Sequence, residues 1–409
     1  MAGRQHWFQR PWLKVMVVSM IVLALSHLVV LIISRINILD SLGKSTADFD
    51  FTDLYYSVIK KSARWERPDT TITIINIGYL SRKDIARVIV AVNEHQPNVL
   101  GLGIIFSALR DSLGDAMLSD AIAQSKTCVM TSRLHSETNF PPFDSVERSY
   151  YKFLKNTVQG YANINIPEDD KDYGTVRDFI YSYEVRNRKQ WPFAYQIVKH
   201  HDSLKLLHNV ENGSLEPINF FGYANKPWLD EGASINTFAS LDYNEVLTDN
   251  FDPSLIRNKI VLLGYLGDVN NLGYESRFYT PLNERYAGRS MPDMFGIEIH
   301  ANMIKMMLEE RYIWNSAVLN TILSLAFLLF SVWACNKVHR KFPTQFQLLS
   351  TAIIFILINI MIFIPLIIFI EEEIKIDLRR GVFYLLFVPT FYEIIDINLF
   401  QRLEGSSLK

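Results

Sequence analysis

The chain has 409 residues, 41 Lys and Arg against 43 Asp and Glu, and a formal net charge of −2, and 49 % of its residues are hydrophobic. With no basic tail and no basic patch interleaved with aromatics, nucleic acid is excluded as an expected partner. Two cysteines, Cys128 in a long polar stretch and Cys335 in an apolar one, are not expected to pair, so the core rather than a disulfide framework must stabilise the fold.

Taken in chain order, residues 1–12 form a short N-terminus and 13–33 a run of apolar residues whose one charged side chain is Lys14. About 20 apolar residues, at roughly 1.5 Å each in a helix, cross a hydrocarbon core, so 13–33 is the first of four predicted transmembrane helices. A signal peptide is the alternative, disfavoured by the long apolar run and the lack of a small-x-small cleavage pattern after Ile33. Residues 34–316 follow as one long outer segment, and 317–335, 348–370 and 381–400 supply the three C-terminal spans; the last carries Glu393 and Asp396, for which helix packing or an interfacial place is preferred to ion conduction. A tail, 401–409, closes the sequence given.

Arg4, Arg10 and Lys14 before or at the first span, and Lys337, Arg340 and Lys341 after the second, place both flanks inside by the positive-inside rule. Residues 34–316 are then outside and both termini inside. Trp7, Trp12, Tyr312, Trp314 and Trp333 stand where interfacial aromatic anchors are expected.

Within the outer segment, β-branched or apolar runs at 71–77, 98–106, 128–132, 218–221, 258–263 and 296–299 are predicted strands. Helices are predicted at 84–94 with Ser81 as N-cap, at 115–123, at 193–200 and at 300–311. Continuous apolar strands alternating with helices define an α/β domain with a mainly parallel sheet covered on both faces, and residues 134–214 read as a loop-rich insertion.

No catalytic constellation stands out. Glu298 and His300 lie two apart, on one face of the strand expected there, as an acid/base or metal pair would; the competing reading, which is preferred for want of a third ligand, is a buried pair satisfying backbone groups. Asp115 follows Gly114 at a predicted helix start and suits capping, while Asp53 sits in the aromatic segment FDFTDLYY that joins the first span to the sheet. These four are the candidate ligand contacts, and no catalytic residue, metal or cofactor is expected. GYLGD at 264–268 follows a strand and could cradle an anion, but a plain strand-exit turn is preferred.

Several segments together carry a resemblance. MPDMFGIEIHAN (291–302), NKIVLLG (258–264), FYTPL (278–282), INFFG (218–222), FASLDYNEVL (238–247) and GLGIIFS (101–107), with Asp53 near the front, resemble in order and spacing the CHASE2 extracellular sensory domain of bacterial transmembrane receptors. The resemblance implies a sensor in a bacterial inner membrane, followed by three membrane helices. Gly103 stands where the family has an acidic residue, 76–78 replaces an acidic strand end, and Phe221 stands in for an arginine, so a polar site at those strand ends would be lost or changed. Family members often continue into a kinase or cyclase, and no stretch here on the inner side is long enough for one. The expected partners are therefore the lipid bilayer, a separate membrane or cytoplasmic signalling protein, a small-molecule or protein ligand outside and a second copy of the chain. The alternatives are a structural or assembly subunit of an envelope complex and, more weakly, an outer-face hydrolase using Glu298 and His300.

Overall fold

The computed structural model describes residues 11–33, 50–60, 68–138, 140–166, 174–206, 211–224, 237–267, 277–283 and 291–395. The chain divides into two compact units, Asp53–Ile313 and the pair of segments Met1–Thr52 and Trp314–Lys409. Arg4, Trp7, Arg10, Asp268, Asp396 and the tail 401–409 lie outside the described residues.

In the second of these units the chain begins with helix α1 (Pro11–Ile33). The Asp53–Ile313 unit is built on strands β1 (Ile72–Asn76), β2 (Val99–Leu102), β3 (Cys128–His135), β4 (Ser145–Glu147), β5 (Thr157–Tyr161), β10 (Ala239–Asp242) and β11 (Ile260–Gly264). The order across the sheet is β10-β1-β11-β2-β3-β5, parallel throughout, and β4 joins the end of β3 antiparallel. Nearly every residue of β1, β2 and β11 is buried, as a sheet covered on both faces requires.

One face packs against α2 (Arg82–Glu94), α3 (Ser112–Ala123) and α5 (Tyr243–Leu247), whose Ile85, Ile89, Leu118 and Val246 join Ile75, Leu102, Met130 and Leu263 of the sheet. The other face carries α4 (Phe193–His201) and α6 (Gly296–Leu308): Phe193 and Ile197 lie against Gly101, and Ile297 against Gly264. Ser81 caps α2 as expected, its side chain accepting from Asp84 N. Between β5 and β10 lie β6 (Asp178–Ile180) paired with β9 (Leu215–Pro217), and the hairpin of β7 (Tyr183–Val185) and β8 (Arg188–Gln190); 134–214 is a loop-rich insertion only in part, because β5 and α4 within it belong to the main sheet and its cover.

Five further expectations are corrected. Residues 296–299 are the first turn of α6 rather than a strand; the strand there is β13 (Met294–Phe295), paired antiparallel with β12 (Arg277–Phe278). The helix predicted over 300–311 ends at Leu308, because Glu310 turns left-handed at φ 57°. Residues 218–221 are irregular, and 103–106 leave the sheet after Leu102. At α3 the cap is Asp111, which accepts from Gly114 N, so Asp115 falls inside the first turn.

In the helical unit α1 packs with α7 (Ala317–Lys341), α8 (Phe346–Glu372) and α9 (Arg379–Ile395) around Val18, Val22, Leu328, Val332, Met361, Leu385 and Val388. The outward side chains are apolar too: Met20, Ile322, Phe355, Phe363 and Ile367 are each about half exposed or more, a pattern that suits a lipid surrounding. Among the described residues two helices, not four, are long and apolar enough to cross a membrane, the first being α7 and the second Pro343–Glu372. The apolar stretch found in α1 runs Trp12–Leu28, and α9 has 17 described residues, because 396–400 lie outside them. Glu393 of α9 accepts from Gln347 Nε2 of α8, an interhelical contact of the kind expected for packing.

Candidate functional site

Asp53 is fully buried, and its carboxylate takes both arms of the Arg177 guanidinium, Nε to Oδ1 at 3.0 Å and an Nη to Oδ2 at 2.7 Å. The Arg177 carbonyl accepts from Ile218 N at 2.8 Å, so this pair links the start of the unit to the INFFG segment. Asp115 is bound by Arg82, which also donates to Ala108 O at 2.6 Å and lies over the Phe106 and Phe153 rings. Burial pulls the Asp115 carboxyl upward, but Arg82 and the Arg110 N–H hold it below its usual value. Both aspartates are thus engaged in internal pairs.

Glu298 and His300 do not share a face. On α6 they are two positions apart, about 200° around the axis, instead of side by side on a strand. Glu298 Oε1 accepts from Ala224 N at 2.8 Å and Oε2 from Phe295 N at 2.9 Å, the latter closing the helix start. His300 is buried against Phe193, ring centroids 5.4 Å apart, and its Nδ1 has no hydrogen-bond partner among the described residues. Burial pushes the imidazole down to about 4, against the hydrogen bond with the Ala162 backbone, so it is neutral at pH 7.

The whole 291–302 segment is a hub. Asp293 accepts from Thr280 N at 2.8 Å, Thr280 Oγ1 at 2.5 Å and the Tyr223 hydroxyl at 2.8 Å, and burial pushes its carboxyl up to about 6 against those donors. Asn302 Oδ1 accepts from Phe221 N at 2.6 Å and Gly222 N at 3.1 Å, while its Nδ2 donates to Gly222 O at 3.0 Å and Glu298 O at 2.8 Å. A Cβ on Gly222 would stand 2.1 Å from Thr237 Oγ1, so only glycine fits where Asn302 grips the chain. Among the described residues no group of three His, Cys, Asp or Glu is placed to hold a metal ion.

His300 and Asp293 set opposite pH dependences. The unfolded imidazole takes its proton near 6.5 and the folded one near 4, so this residue removes stability as pH falls between those values. Asp293 binds its proton more tightly folded, near 6 instead of 3.8, and adds stability as pH falls over that range. Each effect is on the order of 3 kcal/mol at full titration. We expect urea midpoints of the wild type to change little between pH 7 and 4.5, those of Asp293→Asn to fall, and those of His300→Gln to rise, each against its own pH 7 value. Parallel pH profiles in all three would remove both assignments.

The remaining feature is the carboxyl edge of the sheet. The helix after β1 lies on one face and the next helix after β11 on the other, so the chain leaves these neighbouring strands in opposite directions. That is the topological switch point where open α/β sheets bind ligands. The same holds between β11 and β2, but there Ile297 fills the space: a Cβ on Gly264 would meet its Cγ1 at 2.7 Å, and one on Gly103 its Cδ1 at 3.0 Å. Between β1 and β11, Asn76 bridges the two exits, accepting from Gly78 N at 3.1 Å and Leu266 N at 2.9 Å and donating to Gly267 O at 2.9 Å. GYLGD is accordingly a strand-exit turn as far as Gly267. Above this bridge stand Tyr79, 74 % exposed, and Tyr265, rings 5.1 Å apart and hydroxyls 3.0 Å apart, with Phe295 edge-on to Tyr265 at 5.6 Å. Neither tyrosine follows from residue type alone, and they become neighbours only through the pairing of β1 with β11.

The parallel α/β sheet agrees with the fold expected from the sequence. The CHASE2 domain matches residues 44–334, and the chain belongs to this family of extracellular sensory domains. No curated protein and no solved structure matches the chain.

Proposed function

We propose that the chain is a non-catalytic sensor of a bacterial inner membrane, with 34–316 outside, both termini inside and four spans at 13–33, 317–335, 348–370 and 381–400. It binds a small-molecule or protein ligand at the β1/β11 crevice and signals to a separate membrane or cytoplasmic protein. The observation that carries this reading is the tyrosine pair at the β1/β11 switch point, in a domain of a sensory family. The four-helix core with apolar outward side chains supports the spans, and the two basic flanks support their orientation. Engagement of both Glu298 oxygens by backbone N–H groups, and the burial of His300 against Phe193 with its imidazole pushed down to about 4, far from the working range of a general base, speak against the hydrolase reading.

The test is a thermal-shift screen of the full chain in mild detergent against neutral and charged small molecules. A ligand at 100 times its Kd should stabilise the fold by about 2.7 kcal/mol. The shift is expected to vanish in Tyr79→Ala and Tyr265→Ala and to persist in Leu204→Ala, which alters another exposed side chain. A shift that survives both tyrosine variants sinks the site. A second reading, a structural subunit of an envelope complex, is favoured by Ile297 closing the β11/β2 crevice and by Phe221 replacing a charged residue; stable co-purification with a membrane complex and no ligand shift is its signature.

A further inference from the structure

Three segments far apart in sequence meet within the helical unit. Asp50 starts the short helix Phe51–Leu54, its Oδ1 accepting from Thr52 N at 3.0 Å and Thr52 Oγ1 at 2.8 Å. Its Oδ2 lies 2.7 Å from Lys375 Nζ and 3.6 Å from an Arg379 Nη, and Arg379 is itself held by Asp377 at 2.7 Å. Lys375 belongs to β15 (Ile374–Lys375), which runs parallel to β14 (Trp314–Asn315), with Trp314 N donating to Glu373 O at 3.1 Å. Leu378, one turn on, is buried in the helical core and anchors the loop.

Two-residue strands have almost no stability of their own, so something else must hold this contact. The Asp50–Lys375 pair is nearly buried, its side chains 7 % and 13 % exposed. Burial pulls the Asp50 carboxyl upward, yet Lys375 and Arg379 hold it well below the usual carboxylate range, so it is ionised throughout the physiological range. Removing one member of such a pair leaves a poorly hydrated charge behind. The covalent chain passes between the two units at only two points, after Thr52 and after Ile313. Asp50 and Trp314 stand immediately beside those points, and both are bound to the same loop.

We propose that residues 373–379 form a clasp that holds both covalent connections to the outer unit in one register, with the Asp50–Lys375 pair as its latch. A displacement of either connection must then move the loop between α8 and α9 or open the latch. What drives such a displacement rests on the sensor reading; the clasp itself needs neither ligand nor partner.

The experiment is amide hydrogen exchange on the full chain in mild detergent, followed over 312–317 and 373–378. Asp50→Asn and Lys375→Met are each expected to raise exchange in both segments at least tenfold, Lys375→Arg to leave it near the wild type, and the double variant Asp50→Asn/Lys375→Met to be no worse than either single one. Exchange unchanged in the single variants, a rise confined to one segment, or additive effects in the double variant would each overturn the clasp. Lys375→Met preserves most of the aliphatic stem, so it reports on the latch even where Asp50→Asn weakens the adjoining helix. Because these readouts use no ligand, a failed clasp leaves the sensor reading standing, and a failed ligand screen leaves the clasp.

Discussion

Replacing Asp53 by alanine will destabilise the protein by about 3–5 kcal/mol, because the Arg177 guanidinium, 14 % exposed, keeps its charge and loses its bidentate partner. The loss should show as a lower urea midpoint and a lower yield of folded protein. Pairing the change with Arg177→Met removes the buried charge that has lost its bidentate carboxylate and should recover part of the stability, so the double variant will be more stable than Asp53→Ala alone. An Asp53→Ala protein that melts like the wild type but loses a ligand-induced shift would instead place Asp53 in the binding site.

Asn302→Leu is the second large effect. Leucine is similar in size but strips the partner from Phe221 N, Gly222 N and Gly222 O, three backbone groups in a buried turn. At about 1–3 kcal/mol for each unsatisfied group the loss exceeds about 3 kcal/mol. Asn302→Asp, which retains the two accepted hydrogen bonds, should lie between leucine and the wild type at pH 7. The check is denaturant unfolding with tyrosine and tryptophan fluorescence, and equal midpoints for leucine and asparagine would show that the turn 219–224 is held by something else.

These two residues illustrate what could be read beforehand. The parallel sheet was legible because strands buried on both faces are continuous apolar runs, as in ITIIN and IVLLG. GIEIH misled because its alternation of Ile with polar residues imitates a strand over five positions. The helical signal lies further on, in buried Ala301, Ile304 and Met307 at spacings of three, and in Glu298 reaching back to Phe295 N. The tyrosine pair was not legible, since Tyr79 and Tyr265 are 186 residues apart and become neighbours only when β1 and β11 pair. The clasp was hidden likewise, because Lys375 and its partner Asp50 are 325 positions apart.

The position of β11 also governs how the sheet can assemble. The last of its six parallel strands in sequence is inserted between β1 and β2, which precede it by more than 150 residues (260 − 102). Until residues 260–264 are available, β1 and β2 have no shared hydrogen-bonded edge, and what exists is two half-sheets with open edges facing each other. Loop closure of this length is slow, and unpaired edges invite the wrong neighbours. The hub at 291–302, which fastens Gly103, Gly264, Ala162 and the 219–224 turn, comes later still. The Asp53–Ile313 unit is therefore fastened from its C-terminal end: a fragment stopping between residues 264 and 291 contains every strand of the main sheet and lacks the hub that locks them together.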